Sequence, residues 1–254
     1  MSEAQHCYRP ICAIGNDRHI LWLGIEGGRV LLSVGNNPAL FQVWLVHTEQ
    51  APHASDLILL DAAERDRGSR YLRQSDRNRF LKTRAMLRRL LGRMLEREPR
   101  SIRFNKNSFG KPILADNSAR SVSFSVSHTD VLSVVAISDG RRIGIDVERL
   151  RPIADRGRIA TRVFGASIAR ALTDLNEDAQ DRAFLRMWTA VEAFLKAKGT
   201  GFAGIQDDLP LVFCEKSGTV SFGGQKKKET PMSLITLSLP EGFLGSVVVE
   251  GGEH

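Results

Sequence analysis

At 254 residues the chain is long enough for one large domain or two modest ones with a substantial core. Its composition, 42% hydrophobic and 26% charged, is that of a soluble globular protein, and no run reaches the roughly 20 apolar residues that a membrane span needs. The start (Met-Ser-Glu-Ala-Gln-His) lacks the basic and apolar stretches of a secretory signal, and Cys7, Cys12 and Cys214 contain no CxxC pair. The cysteines therefore read as free thiols in a reducing cytoplasm. A formal charge of +7 favours anionic partners, whether nucleic acid, phosphorylated cofactors or an acidic protein, and fits an ordinary solvated basic surface as well.

Residues 1 to about 40 hold Gly-Gly, Gly-Asn-Asn-Pro and two short apolar runs without a sustained period, which predicts an extension carrying one hairpin. The first strand is Val43–His47. A helix follows from an N-cap at Ser75 or Asp76 to about Arg97, with Phe80, Leu87, Leu91 and Met94 as its apolar stripe. Ile102–Phe104 reads as a short strand and Phe109-Gly110-Lys111-Pro112 as a loop. Val122, Phe124 and Val126 alternate with serines, Val131–Ile137 is nearly continuous apolar sequence, and Ser138-Asp139-Gly140 is a turn before a strand at Ile143. A long helix covers Glu177–Lys198 and ends at Gly199. Four strand-like runs close the chain: Leu211–Phe213, Thr219–Phe222, Leu234–Leu239 and Leu244–Val249. Lys226-Lys227-Lys228 is expected in a solvated turn between two of them.

Strand, intervening segment, long helix and short strand occur in that order after Val43 and again after Ile143. The order predicts two similar α/β halves with a cleft at their junction, although order alone is thin ground for a duplication.

Chemistry concentrates on Ile143-Gly144-Ile145-Asp146-Val147-Glu148 and Trp188-Thr189-Ala190-Val191-Glu192-Ala193-Phe194-Leu195-Lys196. A strand sends residues i and i+2 to one face, so Asp146 and Glu148 project together, and Gly144 is expected to leave room for a ligand. Helical spacing stacks Trp188, Glu192 and Lys196 along one stripe. Three carboxylates and an ammonium suit a hard cation holding phosphate oxygens, although two acids on a strand are also a common solvated face. Ser127-His128 ends a neighbouring strand, expected in the same sheet as Asp146, and both side chains can donate to phosphate; a turn serine and a surface histidine are the plain alternative. Arg84, with Arg77, Arg79, Lys82, Arg88 and Arg89, makes a basic helix whose residues are mostly expected in solvent, with one or two available to a phosphate. No aromatic interleaving or recognised motif supports nucleic-acid binding there.

Taken in order, Phe80-Leu81-Lys82-Thr83-Arg84 through Gly92, Phe109–Pro112, Phe124–His128, Ile143–Glu148 and Trp188–Gly199 resemble the surfactin-synthetase type of 4′-phosphopantetheinyl transferase. The resemblance covers about residues 43 to 250. It implies an α+β pseudo-dimer of two similar α/β halves with the active site in the cleft between them. Its expected divisions are an extension at 1–40 and halves at 41–142 and 143–254. It implies magnesium-dependent transfer of phosphopantetheine from coenzyme A to a serine of an acyl, peptidyl or aryl carrier protein, with release of adenosine 3′,5′-bisphosphate. By the same resemblance Asp146, Glu148 and Glu192 match metal ligands, and Glu192 also the general base. Lys196, Ser127 and His128 match contacts to coenzyme A phosphates, Arg84 and Arg67 contacts to its 3′-phosphate, and Lys111 with its loop the adenine segment.

The expectation is thus a cytoplasmic, monomeric enzyme serving fatty-acid, polyketide or non-ribosomal peptide synthesis, with no nucleic-acid or membrane partner. Two positions depart from the family pattern: Val191 stands where a lysine is common, and Ser125 where an asparagine is frequent. The alternative is therefore a member that binds coenzyme A or a carrier protein and transfers weakly or not at all, for want of that lysine beside the diphosphate.

Overall fold

The computed structural model describes residues 8–10, 12–14, 41–115, 122–202, 210–214, 219–223 and 230–251. The Lys226–Lys228 turn lies outside them. Alternation in the sequence becomes a four-layer arrangement. Strands β1 (Tyr8–Pro10), β3 (Phe41–His47), β6 (Val122–His128) and β7 (Leu132–Asp139) form one antiparallel sheet in the order β1-β3-β7-β6. Strands β2 (Cys12–Ile14), β8 (Ile143–Arg149), β11 (Met232–Ser238) and β12 (Phe243–Glu250) form the second, ordered β2-β11-β12-β8. The expected N-terminal hairpin is absent among the described residues, since β1 and β2 each join a different sheet.

Strand periodicity of two sends alternate residues to different cores. Phe41, Val43 and Leu45 of β3, with Leu132, Val134 and Ala136 of β7, meet Ile143, Ile145, Val147, Val247 and Val249 between the sheets. The opposite face of the first sheet, through Trp44, Val46, Val135 and Ile137, packs on Met86, Leu87, Leu90 and Leu91 of α3 (Gln74–Leu95). The opposite face of the second sheet, through Leu244 and Val248, packs on α6 (Glu177–Lys198).

Each half runs through the same succession. Strand β3 leads through α1 (Ala54–Leu57) and α2 (Ala62–Ser69) into α3, then the hairpin β4 (Phe104–Lys106) and β5 (Pro112–Leu114), then β6 and β7. Strand β8 leads through α4 (Arg156–Phe164) and α5 (Ala166–Thr173) into α6, then the hairpin β9 (Leu211–Cys214) and β10 (Thr219–Phe222), then β11 and β12. The two long helices have 22 residues each. The fold is therefore the expected α+β architecture of two similar halves.

The long helices end as local chemistry dictates. Asn176 caps α6 by accepting from the Ala179 amide, and Gly199 closes it with φ +77°, a left-handed conformation that glycine adopts without a Cβ penalty. Helix α3 begins at Gln74, ahead of the predicted cap. Arg73 occupies the cap position without a side-chain capping hydrogen bond, and Asp76 pairs instead with Arg79 at 2.6 Å. No helix is long and apolar enough to cross a membrane among the described residues.

Candidate active site

Strands β6 and β8 are edge strands of different sheets, and they meet there. This corrects the expectation that Ser127-His128 shares a sheet with Asp146. An edge leaves ladder groups to be satisfied by other means, and the serine face of β6 supplies them. Ser125 Oγ accepts from the Ile145 amide at 3.1 Å, and Ser127 Oγ donates to Asp146 Oδ1 at 2.6 Å. The alternation of Val122, Phe124 and Val126 with serines thus has two customers: the apolar side faces α3, the hydroxyl side faces β8.

Because Ile143, Ile145 and Val147 fill the inter-sheet core, Gly144, Asp146 and Glu148 lie on the face of β8 turned to α6. Gly144 does not leave space for a ligand as expected. A Cβ there would stand 1.9 Å from the carbonyl oxygen of Ala193 and 2.4 Å from the amide of Ala197. The glycine lets the α6 backbone come down on the strand, which brings Lys196 onto Asp146. Lys196 Nζ lies 2.7 Å from Asp146 Oδ1 and donates to Ser127 Oγ at 3.1 Å.

A cavity of about 520 Å³ opens beside this junction, within the size range of small-molecule sites. Of the candidate residues, Arg67, Arg84, Lys111, His128, Glu192 and Lys196 line it. Ser127 and Asp146 stand behind Lys196 through the contacts above. Glu148 lies further out, half-buried and 3.7 Å from Arg151. Burial, reinforced by the charge of Asp146, raises the carboxyl groups of both Glu148 and Glu192 above their ordinary range. Burial and then the charges of Arg79 and Lys196 lower the His128 imidazole.

Among the described residues, no three acid, histidine or cysteine side chains stand ready-made as a metal-binding cluster. The donor chemistry nevertheless suits a hard cation: Asp146 Oδ2 is buried and has no hydrogen-bond partner among the described residues.

The loop after β4 closes one end of the cavity. Asn107 Oδ1 accepts from the amides of Phe109 and Lys111 at 3.0 and 2.9 Å, and its Nδ2 donates to the Gly199 carbonyl at 2.8 Å. Lys111 Nζ donates to the carbonyls of Lys196 at 2.6 Å and Ile143 at 3.3 Å, so the loop is fastened to α6 and β8 together. Asn107 was not among the sequence candidates. An Asn two residues ahead of Phe-Gly is a turn former, which was the available signal. Burial, with Lys196 nearby, holds the Lys111 ammonium down to about 8. The folded protein therefore binds fewer protons at Lys111 than the unfolded chain between about pH 8 and the ordinary lysine value, so this residue's destabilising contribution is full below that window and fades as pH rises through it. Lys111→Met removes that dependence, and the wild type should gain melting temperature relative to the variant between about pH 8 and 10.

The basic face of α3 is mostly not solvated, against expectation. Arg88 is fully buried, bonded to Glu64 Oε2 at 2.7 Å, Asp61 Oδ2 at 2.6 Å and the carbonyls of Pro99 and Ile102. Arg89 pairs with Asp56, and Lys82 is only 2% exposed. The acids come from α1, from α2 and from Asp61, which caps α2; these are two short helices without a strong apolar stripe, so their docking could not be read from the pattern. Arg84 pairs with Glu64 and lies 4.1 Å over the Phe104 ring; burial lowers its guanidinium from the usual value. Val191 is fully buried in the core under α6 and does not line the cavity.

The whole is an α+β protein with a cationic, partly aromatic cleft where two edge strands and two long helices converge, suited to an extended anion. Residues 44–139 match the family described as 4′-phosphopantetheinyl transferase, N-terminal, and residues 142–235 match the 4′-phosphopantetheinyl transferase superfamily. The chain belongs to that superfamily. It is 36% identical over 163 residues to a putative 4′-phosphopantetheinyl transferase of Synechocystis sp., covering 64% of this chain and 66% of the relative. It is 38% identical over 149 residues to the 4′-phosphopantetheinyl transferase HetI of Nostoc sp., covering 58% and 63%. It is 29% identical over 148 residues to the 4′-phosphopantetheinyl transferase Sfp of Bacillus subtilis, covering 58% and 62%. The aligned part of the chain thus spans just under two thirds of the length of each of these three relatives.

Proposed function

We propose that the protein transfers the 4′-phosphopantetheine group of coenzyme A to a serine hydroxyl of an acyl, peptidyl or aryl carrier protein, as a cytoplasmic monomer serving fatty-acid, polyketide or non-ribosomal peptide synthesis. The observation that carries the reading is the junction of Lys196, Asp146 and Ser127 at the wall of a cationic cleft, in a chain of this superfamily. The halves are taken to divide between residues 142 and 143, close to the turn that separates β7 from β8.

Asp146, Glu148 and Glu192 would hold a magnesium ion. When bound, it supplies positive charge against the diphosphate of coenzyme A, lowering the cost of charge developing on the departing group. The rest falls to the chain. The carrier serine attacks the phosphorus that bears pantetheine, the bridging P–O bond breaks, and adenosine 3′,5′-bisphosphate departs. Glu192, on the cavity wall and with its carboxyl already raised, accepts the serine proton directly or through water. Lys196 and His128 lie where they can donate to phosphate oxygens, and Lys196 would exchange Asp146 for them. Carrier proteins are acidic around the modified serine, so the +7 charge would favour encounter. The binding-only alternative draws no support from Val191, whose side chain lies in the core.

The test is incubation with coenzyme A, magnesium and several apo carriers. A mass gain of one phosphopantetheine on a carrier is expected, and coenzyme A binding with no modified carrier of any type would refute the transferase reading. Glu192→Gln should lower turnover by about 100-fold or more while coenzyme A affinity changes only a few-fold. Unchanged turnover would remove Glu192 from the role of base.

A further inference from the structure

Arg84 sits in the cavity wall, yet its guanidinium is not held by the cavity. It is held from behind by Glu64, a residue of α2 that does not line the cavity. Glu64 Oε1 accepts from Arg84 Nε at 2.8 Å and lies 2.7 Å from Nη2, so one carboxylate oxygen sits against the Nε–Nη2 edge of the guanidinium. Phe104 covers that plane at 4.1 Å. A lone arginine on a long stem would lose rotamer freedom on seizing a ligand, and this one has already lost it.

Glu64 is itself fixed. It is the third residue of α2, in a reciprocal cap with Asp61: its amide donates to Asp61 Oδ1 at 2.9 Å, and its Oε2 accepts from the Asp61 amide at 3.2 Å. The same Oε2 takes Arg88 Nε at 2.7 Å, and Arg88 is tied to the backbone after α3. Two carboxylates and two guanidiniums balance in this cluster, so Arg84 presents an aimed donor rather than a large surplus of charge. The same short helix places Arg67 in the cavity wall, 4.9 Å over the Phe80 ring.

We propose that Glu64 is a positioning residue for the anchoring of the coenzyme A 3′-phosphate, acting through Arg84 and never touching the donor itself. The inference rests on the reading that Arg84 contacts that phosphate. Its signature is selectivity. Without the Glu64 charge, the Arg84 fork is free to swing, and the advantage of donors carrying a 3′-phosphate over those lacking it shrinks.

The experiment compares kcat/KM for coenzyme A and for 3′-dephospho-coenzyme A, with one apo carrier, in the wild type, Glu64→Gln and Arg84→Ala. Glu64→Gln keeps the size and one acceptor, and should reduce the ratio of the two values by about ten-fold, through KM for coenzyme A more than through kcat. Arg84→Ala should reduce the ratio at least as far. If Arg84→Ala collapses the ratio and Glu64→Gln leaves it intact, the role of Glu64 is overturned and that of Arg84 stands. If Arg84→Ala leaves the ratio intact, or the wild type shows no preference, the underlying reading of Arg84 fails, and the inference with it. An equal loss with both donors in Glu64→Gln would mark a merely structural residue and overturn the proposal. Should that variant not fold, Glu64→Asp carries the same comparison: it keeps the charge and withdraws it by one methylene, and an unchanged ratio there is the overturning result.

Discussion

Val191→Lys should destabilise the protein by about 3–5 kcal/mol, the range for an uncompensated buried charge, and should not accelerate transfer. Val191 is fully buried among Ala190, Phe194 and Leu195 in the core that α6 shares with the second sheet. A lysine there must either bury its ammonium unpaired or thread its stem past packed neighbours to the cleft. Guanidinium denaturation at neutral pH measures the first, and the transfer rate of the folded fraction the second. An unchanged midpoint together with faster transfer would mean that the side chain reaches the diphosphate, and that valine had vacated a catalytic cation site.

Gly144→Ala should cost on the order of 3 kcal/mol or more, the upper end for overpacking, because the clash is with main chain rather than a flexible side chain. The added methyl would meet the Ala193 carbonyl at 1.9 Å and the Ala197 amide at 2.4 Å, so α6 must lift off β8. Lifting it carries Glu192 and Lys196 away from Asp146, and transfer should fall with stability even in protein that remains folded. Melting temperature and single-turnover transfer measure the two effects. A variant with wild-type melting temperature would show that the helix does not rest on the strand as closely as these distances require.

The two substitutions mark the difference between local and tertiary information. Position 191 and Gly144 look like ligand-site positions in one dimension, since each lies within two residues of an acid. Both are packing positions in three: a helix turns by about 100° per residue, which takes Val191 off the face of Glu192, and Gly144, on the same face of β8 as Asp146, lies directly under the α6 backbone.

The sequence by itself determined the long helices, most of the strands and the pairing of Asp146 with Glu148 on one strand face. It also determined Glu192 and Lys196 on one stripe of α6, whose start at Glu177 and end at Gly199 follow from the Asn176 cap and the glycine. Periodicity carries that much because burial of one face is a local demand. Only the tertiary structure decided that β6 and β8 are edges of separate sheets, that Ser125 and Ser127 bridge them, and that Glu64 of α2 supplies the carboxylate shared by Arg84 and Arg88. Those outcomes depend on which charged groups lose water together, and a polar helix such as Ala62–Ser69 carries no periodic mark of the surface it will cover.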